Sequence, residues 1–313
     1  ARGLALSSLF ATALWKKRDL AAHGSPDSTL NVIWGGCEAL LANLLAEGDP
    51  LVHASLGEQF WRLRFLDERW LQQNVSRIFP TEPEKQAQFE AAWAMFLSWS
   101  GAIPDEDWLA LLRPCYDHAL RLRRQQLAER SAPEKEKKQD RDHSLGADLG
   151  ALYLYGSIDL AAGDLLDLFY AQADDEDAKA VVSVLLHKLQ REGRKNSQPP
   201  RNDDDEEEDD TSTDQIAVWV QRARSLWQYR HAAVLAYAKQ AGQSEEAAAF
   251  THLFLLECFP AEETFAALEL LLPIAALNAW NSAVLKRLAT LAPAYPGHCL
   301  RTAREFFSRG GYP

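Results

Sequence analysis

The sequence has little of what usually betrays a function. There are only four cysteines, Cys37, Cys115, Cys258 and Cys299, widely spaced and each in apolar or aromatic surroundings. That excludes a disulfide framework and fits a reduced, cytoplasmic setting. No run of about eighteen apolar residues occurs, so no membrane-spanning segment is expected. Neither Gly-x-x-x-x-Gly-Lys-Ser/Thr nor Gly-x-Gly-x-x-Gly is present, the loops whose exposed amides cradle phosphates. Gly-x-Ser-x-Gly, Ser-x-x-Lys and His-Glu-x-x-His are missing too. Cys115-x-x-His118 and His298-Cys299 come nearest to metal-ligand pairs, but they lie far apart in sequence and lack a matching second pair. His23, His53, His143, His187, His231 and His252 form no ligand ladder. No catalytic residue, cofactor or metal is therefore expected, and the chain reads as a non-enzyme; a Cys–His pair assembled only in space is the enzyme alternative.

A surplus of charge of one sign is also scarce outside one place. The 33 Lys+Arg against 45 Asp+Glu give a net charge of −12, and eight acidic residues form the single run Asp203–Asp210. Without that run the rest of the chain is close to neutral. Bulk electrostatics thus gives no reason to expect a nucleic-acid partner.

What is abundant is helix-forming sequence. Leu occurs 47 times, Val and Ile together 16 times, a balance favouring helix over sheet. Phe89, Ala92, Trp93, Phe96, Leu97 and Ser100 fall on one helical stripe, as do Ile33, Cys37, Leu40, Leu41, Leu44 and Leu45, and Ile216, Trp219, Val220, Ala223, Leu226 and Trp227. The patterns predict helices over roughly 3–20, 29–47, 51–66, 68–79, 84–100, 105–129, 144–156, 162–172, 175–191, 214–241, 244–258, 261–272, 277–291 and 297–309. Pro50, Pro80, Pro83, Pro104, Pro260, Pro293 and Pro296 stand at their edges. About fourteen helices joined by short loops predict an all-α fold, a right-handed α-solenoid of stacked helical hairpins of the HEAT/TPR kind, in two lobes. Gly146 and Gly150, four apart beside Leu145, Leu149 and Leu152, predict a close helix approach, and Gly35-Gly36 a kink or another approach. The exits Ile78-Phe79-Pro80-Thr81-Glu82 and Cys258-Phe259-Pro260-Ala261-Glu262 are the only hint of internal repetition.

Two stretches lack an apolar stripe. Residues 130–142 read as an exposed charged loop, and 192–213, which contains the acidic run, as a disordered linker. The expected organisation is an N-terminal helical-repeat lobe over 1–191, the linker over 192–213, and a C-terminal helical-repeat lobe over 214–313. Deleting Asp203–Asp210 is expected to leave the helical content and the melting temperature almost unchanged, as circular dichroism would show; a large loss of stability would mean that the run docks on a lobe.

Basic and aromatic residues are the remaining candidates for a binding surface. Arg121, Arg123, Arg124, Arg130, Lys135, Lys137 and Lys138 form a basic stretch diluted by Glu129, Glu134, Glu136 and Asp140. In Trp219, Arg222, Arg224, Trp227 and Arg230 the tryptophans share the apolar stripe and the arginines take the other face. A nucleic-acid-contacting module stays as an alternative on these two stretches. Ten tryptophans are many for this length, and both core anchoring and partner contact use them.

Phe65-Leu66-Asp67-Glu68-Arg69-Trp70, Arg77-Ile78-Phe79-Pro80, Ala91-Ala92-Trp93-Ala94-Met95-Phe96-Leu97-Ser98-Trp99-Ser100-Gly101, Leu149-Gly150-Ala151-Leu152-Tyr153, Leu226-Trp227-Gln228-Tyr229-Arg230 and Phe254 to Leu272 occur in that order. This order resembles the helical C-terminal region of large bacterial defence-associated proteins, in which a sirtuin-type or ATP-binding module precedes a long all-helical part. The likeness spans most of residues 50–280, includes no catalytic motif, and does not extend to the acidic insert 201–210. It implies a non-catalytic scaffold or sensor in an anti-phage defence protein. Its partner would be a protein, either a phage component or the chain's own N-terminal effector module. The apolar face Leu4, Leu6, Leu9, Phe10, Ala13 and Leu14, with no initiator Met before it, fits a fragment of a longer protein.

Overall fold

A computed structural model of the chain describes residues 2–23, 28–99, 101–129, 139–197, 213–275 and 281–308. Among these the chain is all-α, as the composition predicts: fifteen α-helices, no strand, and one isolated bridge between Ser244 and Ala275. No helix among the described residues is long and apolar enough to cross a membrane. The chain divides into two compact units, Ala1–Ser144 and Leu145–Pro313.

The first unit contains α1 (Arg2–Ala22), α2 (Ser28–Glu47), α3 (Pro50–Glu58), α4 (Phe60–Leu66), α5 (Glu68–Ile78), a 3-10 turn at Pro83–Lys85, α6 (Gln86–Trp99) and α7 (Glu106–Glu129). Its boundaries are written in capping chemistry. Asp49, with Pro50 behind it, accepts from the Leu51 N–H, and Asp67 accepts from the Trp70 N–H; each satisfies an amide that the first helical turn leaves unpaired. The helix predicted over 51–66 is two helices, because the backbone leaves the helical region at Gln59 (φ −93°, ψ 8°). The buried Gln59 side chain is held there by Arg62, whose Nη1 donates to Oε1 at 2.6 Å.

Packing in this unit radiates from α3, which touches α1, α2, α4, α5 and α6, most extensively α6. The approach is close because Gly57 faces the Ala92 carbonyl: a Cβ on Gly57 would lie 2.1 Å from that oxygen. Around this contact Phe60 meets Phe79 (5.5 Å between ring centroids), Phe96 (5.1 Å) and Trp108 (5.6 Å), while Trp93 meets Tyr116 edge-on at 4.9 Å. Such tilted pairs add about 0.5–1.5 kcal/mol each to the area they bury.

The second unit takes in α8 (Gln139–Tyr155), which crosses into it, α9 (Leu165–Tyr170), α10 (Asp175–Ser197), α11 (Thr213–Ala241), α12 (Glu245–Phe254), α13 (Ala261–Leu271), α14 (Asn281–Leu291) and α15 (Pro296–Ser308). Gly146 and Gly150 do what their spacing predicts. A Cβ on either would come within 2.9 Å of a carbonyl of α10, Asp177 or Val181. Gly35-Gly36 lie within α2. Toward the C-terminus, Leu255, Phe265, Leu268, Leu272, Val284, Leu288, Cys299 and Phe306 close one core between α12, α13, α14 and α15.

The division differs from the one expected at 192–213. Helix α10 continues to Ser197, α11 begins at Thr213, and α10 packs on both α11 and α12. The tie is chemical as well: the Asp175 carboxylate accepts from Ser244 Oγ at 2.6 Å and from the Glu245 N–H, and Lys179 joins Glu176 and Glu245, each at 3.1 Å. A carboxylate on the N-terminus of another helix complements its dipole. The acidic stretch is therefore an insertion between helices of one unit, and residues 198–212 with Asp203–Asp210 lie outside the described residues. The charged stretch 130–142 falls at the division instead; α8 starts inside it at 139, and 130–138 lie outside the described residues.

Candidate functional site

In α4 the sequence Phe-Trp-Arg-Leu-Arg-Phe-Leu packs two faces into two turns. Phe60, Leu63 and Leu66 are buried and anchor the helix, which sends Trp61, Arg62 and Phe65 outward. Trp61 and Phe65 are one turn apart, 54% and 53% exposed. Leu14 and Arg18 of α1 stand opposite, Arg64 and Glu68 close the end, and together these residues line a groove of about 640 Å³.

The walls are held by cations. Lys17 Nζ donates to the Phe65 and Leu66 carbonyls at 2.6 and 3.2 Å, closing the C-terminus of α4, and lies 4.9 Å from the Phe65 ring centroid. The Arg64 guanidinium sits 5.1 Å from the Trp61 ring and 5.2 Å from the Trp108 ring. Its Nε reaches Glu68 at 3.3 Å and its Nη2 reaches Asp105 at 3.4 Å. Trp108, buried beneath, donates from Nε1 to Glu68 Oε1 at 2.7 Å. Each half-exposed ion pair or cation–π contact contributes about 1 kcal/mol or less. The network's effect is positional: it fixes two large apolar side chains in water.

The sequence shows each wall without joining them. Trp61 counts there only among ten tryptophans, and Phe65 only as the first residue of the stretch Phe65–Trp70. The signal was the i, i+4 pair Trp61/Phe65 lying off the apolar face defined by Phe60 and Leu63. The structure also sorts the other tryptophans. Trp70, Trp93, Trp108 and Trp219 are buried, Trp15 and Trp99 exposed, and Trp227 is half-buried against Phe250 with centroids 5.0 Å apart. The side chains of Trp34 and Trp280 lie outside the described residues.

Cys115-x-x-His118 belongs to the first unit and His298-Cys299 to the second, and no group of three or more His, Cys, Asp or Glu able to hold a metal occurs among the described residues. Burial pushes the Cys115 thiol up to about 12 and raises Cys37 and Cys299 as well, while Cys258 is exposed. A nucleophilic cysteine needs the opposite shift. Among the histidines, His53 is buried with Nδ1 2.9 Å from the Ile78 carbonyl oxygen, and its pKa is lowered by burial.

His252, 6% exposed on α12, has its pKa lowered by burial from 6.5 to about 4. The unfolded chain takes up this proton below pH 6.5 and the folded chain only below about 4, so acidification through that window favours unfolding. His252 alone is expected to remove about 2 kcal/mol between pH 7 and pH 5. Denaturant melts of the parent and of His252→Leu at both pH values test this: the variant should lose markedly less, and equal losses would assign the effect to other groups.

The two basic stretches differ in how their described arginines are used. Of the first, Arg123 is buried, Arg121 and Arg124 are exposed, and Arg130, Lys135, Lys137 and Lys138 lie outside the described residues. In the second, the arginines tie helices together. Arg222 Nη1 donates to the Tyr153 carbonyl at 2.7 Å, beside a shallower depression of about 420 Å³; Arg224 makes a two-pronged contact with Glu263, and Arg230 another with Glu246, all at 2.8 Å. Arg230–Glu246 is the buried pair, with side chains 14% and 2% exposed.

No protein family matches the chain, and no curated protein and no solved structure is similar to it.

Proposed function

We propose that the chain is a non-catalytic recognition arm of a larger cytoplasmic protein, its helices stacked as a solenoid and its partner protein met at the groove between α1 and α4. The observation that carries this is the pair Trp61 and Phe65, each more than half exposed and braced by Arg64 and Lys17. Large aromatics held rigidly at a surface lose little entropy on binding and dominate interface energetics. The pattern shared with bacterial defence-associated proteins supplies a context, in which the arm senses a phage protein or docks its own effector module.

The test is a photo-crosslinking amino acid placed at Trp61 in the full-length protein, with a control placement at Leu300, which is 72% exposed on α15. The proposal expects one protein cross-linked from position 61 and absent from position 300. That protein, once purified, should bind the parent chain and lose about tenfold or more in affinity to Trp61→Ala. Equal labelling from both positions, or binding indifferent to Trp61, overturns it.

A further inference from the structure

Accepting the groove as a recognition surface, its shape and charge narrow the partner. Both long walls are helices, and on each the lining residues recur at i, i+4: Leu14 and Arg18 on α1, Trp61 and Phe65 on α4. Rows at that spacing are the ridges between which a third helix lays its own side chains. The charge is local and reversed in sign. Three arginines, Arg18, Arg62 and Arg64, line the groove against one carboxylate, Glu68, in a chain whose net charge is −12. Glu68 is already engaged by Trp108 and Arg64, and Arg64 is further committed to Asp105. Arg18 and Arg62 are exposed at the rim and make no ion pair with a carboxylate among the described residues. They leave one positive position on each wall, beside the aromatic pair on α4.

We infer that the groove seats an acidic amphipathic helix of the partner protein, with its apolar ridge between Leu14 and the Trp61–Phe65 pair and its carboxylates against Arg18 and Arg62. A nucleic acid fits less well. Phosphate tracks require a succession of uncommitted cations and carry a steep salt dependence, whereas here Lys17 is spent on helix carbonyls and Arg64 on carboxylates. Charge opposition at the rim also sets the rate of encounter, which the overall negative charge would otherwise slow for an acidic partner.

The experiment is a display selection of random peptides of about sixteen residues, four helical turns, on the immobilised full chain, counter-selected on Trp61→Ala/Phe65→Ala. Both aromatics are half exposed, so the variant should keep its helical circular dichroism, which is checked first. The expected winners carry apolar residues at i, i+3 or i+4 and i+7, have net negative charge, and lose about tenfold or more in affinity to Arg18→Glu. Winners without helical periodicity, winners with net positive charge, or no enrichment over the counter-selected variant each overturn the inference. A parallel titration with single-stranded oligo-dT identifies the other outcome: salt-dependent binding lost in Trp61→Ala would replace the helix by nucleic acid. If the cross-link from position 61 still yields a partner protein while the selection fails, the recognition reading stands and only the acidic helix falls.

Discussion

Gly57→Ala is expected to destabilise the first unit by about 3 kcal/mol and lower its melting temperature by about 10 °C. Elsewhere in a helix the same change would help, since alanine gives up less backbone freedom and forms helix better, by about 0.5–1 kcal/mol. At Gly57 the new Cβ would fall 2.1 Å from the Ala92 oxygen and 2.9 Å from its carbonyl carbon. Both are backbone atoms inside α6, so no side chain can swing away. The helices α3 and α6 would have to separate by about an ångström, and the separation would open the aromatic cluster around Phe60, Phe79 and Phe96, all of them fully buried. Gly193→Ala is the matched control. It is exposed on α10 with nothing within 4 Å of the added carbon, and the change there should raise stability slightly. Thermal melts of the two variants beside the parent decide the matter; a Gly57→Ala protein as stable as the parent would mean that α3 and α6 do not meet as described.

The contrast between these two glycines shows what the sequence carried and what it withheld. Helix positions were legible because each is set by local rules: a proline at an edge, a 3.6-residue apolar stripe. Even the close approach at Gly146 and Gly150 was legible, since two glycines four apart among leucines are a pattern. Gly57 stands alone, and the carbonyl it meets belongs to another helix, so nothing local announces it. The same limit hid the lobe boundary. Composition marks 192–213 as unable to pack, but whether such a stretch separates two units or loops out of one depends on which helices meet across it, and Asp175 with Ser244 settles that through contacts distant in sequence. The groove was half-visible for a like reason. Periodicity exposes Trp61 and Phe65 on α4, and it says nothing of α1 lying opposite.

Truncating Glu246 should be the second costly change, at about 3–5 kcal/mol for Glu246→Ala, because it strands a guanidinium that cannot give up its proton. Arg230 is 14% exposed, with its Cζ 4.1 Å from the centroid of the buried Tyr170 ring, and its only partners of opposite charge among the described residues are the two Glu246 oxygens at 2.8 Å. The reverse truncation is not equivalent. Burial raises the Glu246 carboxyl above its ordinary 4.5, so in Arg230→Met the stranded group can take up a proton and become neutral. Its folded pKa then lies above the unfolded one, and the folded state holds the extra proton between them. Arg230→Met should therefore cost less than Glu246→Ala near pH 5 and lose stability as pH rises above that, whereas Glu246→Ala should stay poor throughout. Replacing both, as Arg230→Met/Glu246→Leu, exchanges a desolvated ion pair for apolar packing of similar volume and should return to within about 1 kcal/mol of the parent. Denaturant melts of the four proteins at pH 5 and pH 8 measure these differences. If the double variant is as damaged as Glu246→Ala, the pair is contributing more than its own neutralisation, and the link between α11 and α12 depends on the charge itself.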